Sequence, residues 1–273
     1  MSLIRAVLRH ALGALRGRDL ALWAAGVTFF AGLAVVPVLL LALRGAAELF
    51  GADLVVDGAR LLAGSLPGAQ RVGPAVEGLA SAAVGASWWV LLSALLPASL
   101  YGEGLRRGMA QLANEPVGAG TGWLGRLGFV PVIVVAPLLV AAPLATAPWV
   151  APRYSGGGWS AALGVVVSFH VDWVALSVAL GLIFLATGPS VLSRRQAVVG
   201  GFAVGAVVTG FLHGFLLFLA IPVDWAFPFA GLRGAGVVGA LGLWTYLLHV
   251  VLLFGYRVLL SFRAVRHRGD VVS

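Results

Sequence analysis

Cysteine and lysine are both absent from this 273-residue chain, and only 10% of its residues carry a charge. Without cysteine there are no disulfides, no thiolate metal sites and no cysteine nucleophile. Without lysine there is no P-loop lysine to hold a nucleotide phosphate, so this chain alone is not expected to pump at the cost of ATP. The scarcity of charge excludes a soluble fold. A soluble domain carries roughly 25% charged residues, and 18 basic plus 10 acidic side chains cannot cover a 28.1 kDa globule. Disorder is excluded as well, because disordered chains are poor in apolar residues, whereas 60% of this one is hydrophobic and its mean hydropathy is +1.02. These exclusions leave an all-α membrane protein with little mass outside the bilayer.

Metal and nuclease chemistry lack their residues too. His10, His170, His213, His249 and His267 are dispersed, with none of the spacings that set ligands around one metal. No metal site and no cofactor are expected, and no Ser-His-Asp grouping follows from the spacing. The chain is therefore read as a non-enzyme. Its net charge of +8 and pI near 11.3 need no nucleic-acid partner, since basic residues also set membrane orientation.

What the chain does have is long uncharged runs. A helix needs about 20 apolar residues to cross the hydrocarbon core, and the gaps between charges give six such stretches: residues 20–43, 78–102, 127–152, 173–193, 196–223 and 234–256. One gap resists this division. Residues 159–193 contain only His170 and Asp172 as ionisable groups, too long for one helix and short for two. Residues 159–171 are read as an interfacial segment, with Asp172 at the outer boundary. The first stretch exceeds the roughly 7–15 apolar residues of a signal peptide and is expected to stay in the mature protein.

With six spans, the N-terminus, the 103–126 loop, the turn at Arg194 and Arg195, and the C-terminus share a side. That side holds 13 arginines against 5 on the other. The arginine-rich side is normally cytoplasmic, so both termini are expected to face inward. Cysteine introduced at Ala52 should then react with a membrane-impermeant thiol reagent and cysteine at Ser273 should not; the reverse would overturn the topology.

Residues 44–77 form the long outer loop, read either as an amphipathic helix capping the bundle or as a solvated connector. On the inner side Leu105, Met109 and Leu112 recur at helical spacing, with Arg106 and Arg107 alongside. These two arginines either contact anionic lipid head groups or only fix topology. The third stretch contains Pro131, Pro137, Pro143, Pro148 and Pro152. Prolines remove backbone hydrogen bonds, and broken helices in transporters line protein cavities. Pro137 and Pro143, with Pro37 in the first stretch, are candidates for shaping a pathway; the alternative is a kinked helix buried among neighbours. His213 and His249 are the only ionisable groups counted inside the six stretches, and with Trp244 they are the candidate polar and aromatic features of that pathway. Each histidine either takes part in proton coupling or bonds a backbone carbonyl. Gly201, Gly205 and Thr209 on one face of the fifth stretch, and Ala206, Gly210 and Gly214 on another, suit close helix packing.

Two motifs carry a family likeness. A-A-G-V-T-F-F-A-G-L-A-V-V-P, from Ala24 to Pro37, places Phe29 and Phe30 seven residues before a proline. G-A-G-V-V-G-A-L-G-L-W-T-Y, from Gly234 to Tyr246, leads to Gly255, eleven residues after Trp244. With Pro189, Arg194, Arg195, Gly200 and Gly201 between them, these resemble the YihY/BrkB family of bacterial inner-membrane proteins over residues 19–262. The resemblance implies six helices in the inner membrane, with both transport and lipid handling proposed and a ribonuclease label that looks misassigned. The chain departs from the family pattern at Ala34, where serine is usual. It departs again at Gly255, Tyr256 and Arg257, where Gly-Ala-Glu is usual, so a cation replaces a carboxylate.

The leading expectation is movement or handling of a lipidic or small amphipathic solute in the cell envelope. The alternative is a non-catalytic membrane scaffold or accessory subunit, and a ribonuclease is a distant third. Expected partners are membrane lipids, with a second copy or another membrane protein as further options.

Overall fold

The structure, a computed structural model, describes residues 3–65, 69–114, 122–189, 191–219 and 226–272. Among these there is no strand, and the chain is helical almost throughout. In order run α1 (Leu3–Leu15), α2 (Leu20–Phe50), α3 (Ala52–Ser65), α4 (Ala69–Gly85), α5 (Trp88–Ala113), α6 (Trp123–Ser155), α7 (Gly158–Leu182), α8 (Arg194–Leu219) and α9 (Arg233–Val272). A π turn, Ile183–Thr187, extends α7. This is an all-α membrane protein. Five helical stretches are long and apolar enough to cross a bilayer, namely α2, α6, α7 with its π turn, α8 and most of α9. Helices α4 and α5 make a sixth if that bent pair counts as one span.

The helices differ from the charge gaps where local chemistry overrides the count. Helix α2 starts at Leu20, where Asp19 accepts the Leu22 amide through its side chain, as an N-cap does. It runs past residue 43 to Phe50 because Arg44 is neutralised in place: it pairs with Glu48 at 2.5 Å and donates to the Val84 carbonyl of α4. The stretch 78–102 is two helices meeting at 118°. The break falls at residues 86–87, between Gly85 and the extended Ser87 that opens α5. Counting charges cannot detect such a turn, because every residue in it is uncharged.

Residues 159–171 are not a separate segment but the first half of one continuous helix. After the tight turn at Gly156 and Gly157, the latter with φ of 65°, α7 begins at Gly158. Asp172 therefore lies 14 residues from Gly158 and 15 from Thr187 at the end of the π turn. A carboxylate expected at a border sits halfway along an apolar helix. The fifth stretch was expected to reach residue 223; α8 is described to Leu219, and 220–225 lie outside the described residues.

The segment 44–77, read as an outer loop holding either an amphipathic helix or a connector, is helical where described except at Gly51, which separates α2 from α3. Val55 and Ala59 of α3 bury against Ala80 and Ala83 of α4, Leu43 and Ala46 of α2, and Ala141 and Leu144 of α6. Small residues dominate this second core, which lets the helix backbones approach closely. The main core joins the other helices through Val27, Leu105, Met109, Phe129, Phe184 and Leu253, among others. Leu105, Met109 and Leu112, expected on a separate amphipathic helix, are the fully buried face of α5's last turns.

Two arginines close the C-terminal end of α5. Arg18 donates to the Gln111 carbonyl at 2.9 Å and to the Asn114 side chain, and Arg257 donates to the Leu112 carbonyl at 2.8 Å. Asn114 itself takes the left-handed conformation, φ 62°, common where a helix ends. The last carbonyls of a helix lack intrahelical donors and carry partial negative charge. Cations from two other segments satisfy them here.

Candidate functional site

Where α7 and α8 pack, backbone closeness is obtained with glycine. Any side chain at Gly201 would meet the Ser177 carbonyl and the Gly181 amide, and one at Gly205 would meet Ser177 itself. One turn further along the same face of α8 comes Thr209, fully buried, and then His213. This small-residue face thus draws α8 onto α7 and then separates from it at Thr209, opposite Asp172.

The separation forms a cavity of about 430 Å³ bordered by α2, α6, α7 and α8. Its walls are mostly aliphatic, including Leu43, Leu139, Pro143, Leu176 and Leu212, and its polar lining is Asp172, Thr209 and His213. The size falls in the range of small-molecule sites, roughly 300–1,000 Å³. His213 donates from Nδ1 to the Thr209 carbonyl at 3.1 Å, which directs Nε2 at Asp172 Oδ2, 3.7 Å away. The imidazole is also held edge-on by Phe169, ring centres 5.3 Å apart. The Thr209 hydroxyl has no hydrogen-bond partner among the described residues.

Of the residues expected to shape a pathway, Pro143 and His213 meet at this cavity. The others do not. Pro137 packs against Gly45, filling the space a side chain there would take. Pro37 is not among the residues lining the cavity and sits half-buried in α2. Trp244 stacks on Phe211 and Phe215 of α8 at 4.4 and 4.8 Å, an aromatic clasp between α8 and α9. Asp172 is the residue that counting charges missed as a site. Its signal was the over-long gap 159–193, which one continuous helix explains.

His249 lies in a separate, closed cluster. Its Nδ1 donates to the Thr245 carbonyl at 2.8 Å and is 3.1 Å from Thr28 Oγ1, whose own proton goes to the Ala24 carbonyl. Nε2 is then an acceptor and takes the Tyr101 hydroxyl proton at 2.9 Å. Three helices, α2, α5 and α9, are joined by one fully buried ring.

The family model described as Virulence factor BrkB matches residues 11–270 of the chain. The chain belongs to the BrkB family. No curated protein and no solved structure matches it. Within this BrkB-family chain the unusual Arg257 has a structural task, since its guanidinium holds the end of α5. The expected lipid contacts part company: Arg107 donates to the buried Glu103 at 2.6 Å, while Arg106 makes no such pair among the described residues. A more basic recess lies elsewhere, where Arg195 of α8 and Arg263 and Arg266 of α9 border about 490 Å³ together with Ser193 and Phe262. No three His, Asp or Glu side chains among the described residues come close enough to hold a metal ion.

Proposed function

We propose that this BrkB-family membrane protein moves a small amphipathic solute within the cell envelope, using the cavity between α2, α6, α7 and α8. The observation that carries the reading is a ligand-sized space with aliphatic walls and three polar groups, opening halfway along helices that are apolar enough to span. Ionisable residues at such positions are costly, about 2.5–3.5 kcal/mol on insertion scales, and mark pathways more often than packing. We place both termini on the cytoplasmic side of an inner membrane, and read the protein as non-enzymatic and free of nucleic acid. Anionic lipid head groups meet it at Arg106 and at the Arg195, Arg263 and Arg266 recess.

The test is flux of single-chain amphiphiles into proteoliposomes holding the full chain. Ala179→Trp, which fills the cavity from α7, should abolish the flux that wild type supports. Flux unchanged by Ala179→Trp would refute the pathway. A second reading, a scaffold for another membrane protein, is favoured by one observation: side chains added at Gly210 and Gly214 of α8 would meet nothing within 4 Å, so that small-residue face is unpartnered. Absence of flux across a broad panel, with stable copurification of a second membrane protein, would favour it.

A further inference from the structure

The couple at the cavity is chemically incomplete. In neutral imidazole one ring nitrogen donates and the other accepts. Nδ1 is committed as donor to the Thr209 carbonyl, so neutral His213 turns a lone pair toward the Asp172 carboxylate across 3.7 Å. Two acceptors then face each other at the cavity, beside the fully buried Thr209. No other ionisable residue lines it: α2 contributes Leu43, and α6 contributes Leu139, Val140, Pro143 and Leu144. The other titratable group nearby on α7, His170, gives its Nδ1 hydrogen to the Val166 carbonyl, and the Phe169 ring touches both imidazoles.

We infer that Asp172 and His213 form a binding site for the primary ammonium head of an amphiphile, from which protonation of His213 displaces the ligand. An ammonium offers N–H donors and a positive charge, matching the imidazole lone pair and the carboxylate. Its alkyl chain lies along the aliphatic wall formed by α6 and α7. When Nε2 takes up a proton from water, His213 becomes a cation beside Asp172, fills the ion pair itself, and removes one acceptor from the ligand. Ammonium and proton thus exchange at one carboxylate. This assignment rests on the cavity being the solute site, and the experiment separates the two.

Wild-type full-length protein in phosphatidylcholine nanodiscs is titrated with octylamine and with octanol, empty nanodiscs being subtracted. Octylamine should bind at pH 8 and octanol at least about 10-fold more weakly, since hydrogen bonds to a charged group carry that much. Asp172→Asn should erase the preference for the amine. Lowering the pH from 8 to 5.5 should weaken octylamine in wild type, and His213→Gln should bind it equally at both. Equal binding of amine and alcohol, insensitive to Asp172→Asn and blocked by Ala179→Trp, overturns the ammonium site and leaves the solute cavity standing. Binding of neither probe overturns both. A pH dependence that persists in His213→Gln overturns the exchange.

Discussion

Two histidines on neighbouring helices are treated in opposite ways. His249 on α9 has both ring nitrogens engaged, by the Thr245 carbonyl and Thr28 on one side and the Tyr101 hydroxyl on the other, and it is sealed from solvent. His213 on α8 has one nitrogen engaged and the other turned to a carboxylate at 3.7 Å beside a cavity. By sequence the two were alike: each sits in an apolar run, and each finds the carbonyl four residues earlier. A buried polar group whose bonds are complete rigidifies a core, whereas one left half-satisfied calls for an explanation. The first histidine holds helices together. The second is available to a ligand.

The largest expected effect breaks the closed side of that comparison. His249→Leu leaves the Tyr101 hydroxyl buried without its acceptor, and an orphaned buried group costs about 1–3 kcal/mol. Thermal unfolding of the purified chain should shift down clearly. His213→Leu, whose ring touches a cavity, should shift it much less. Equal shifts would mean that the two sites are both structural.

A double-mutant cycle sharpens the same point. Tyr101→Phe removes the donor that His249→Leu strands, so the double variant should be less destabilised than the sum of the singles. Coupling of about 0.5–3 kcal/mol is usual for residues in contact. The corresponding cycle between Asp172→Asn and His213→Gln should give near zero in stability, because the neutral imidazole and the carboxylate, 3.7 Å apart, make no hydrogen bond to lose.

How much of this was legible in the residues follows the same division. Charge gaps located most of the long helices because desolvating a charge is expensive, and Pro143, one of the prolines singled out in α6, lies in the cavity wall. The break at residues 86–87 left no mark, since a turn made of Gly85, Ala86 and Ser87 costs no charge. Asp172 was misplaced for the opposite reason: a charge was taken to end a span, but an aspartate facing a cavity with a histidine across from it can be carried inside one. The partners of His249 were invisible because Thr28 and Tyr101 lie 221 and 148 residues away. Spacing along one helix says which face a residue occupies and nothing of what meets it.

The smallest effect tests whether the arginines near the end of α5 and along the last turns of α9 divide as the histidines do, into satisfied and available. Arg257 and Arg18 are spent on the carbonyls of α5. Arg257→Gln should cost about 1 kcal/mol of stability, the scale of a cation at a helix C-terminus, and leave lipid binding unchanged. Arg257→Glu, which restores the charge usual in the family, should cost more, because it sets a carboxylate against the same carbonyls. Arg263 and Arg266 border an open recess beside the exposed Val199 and Phe262. Arg263→Gln with Arg266→Gln should therefore reduce retention of phosphatidylglycerol over phosphatidylcholine with little change in unfolding temperature, on the scale of about 1 kcal/mol per arginine. Arg107→Gln is expected to change retention less, since Arg107 already faces Glu103. Should all three lose lipid equally, these arginines act through their summed charge, and the local geometry that separates His213 from His249 has no counterpart among them.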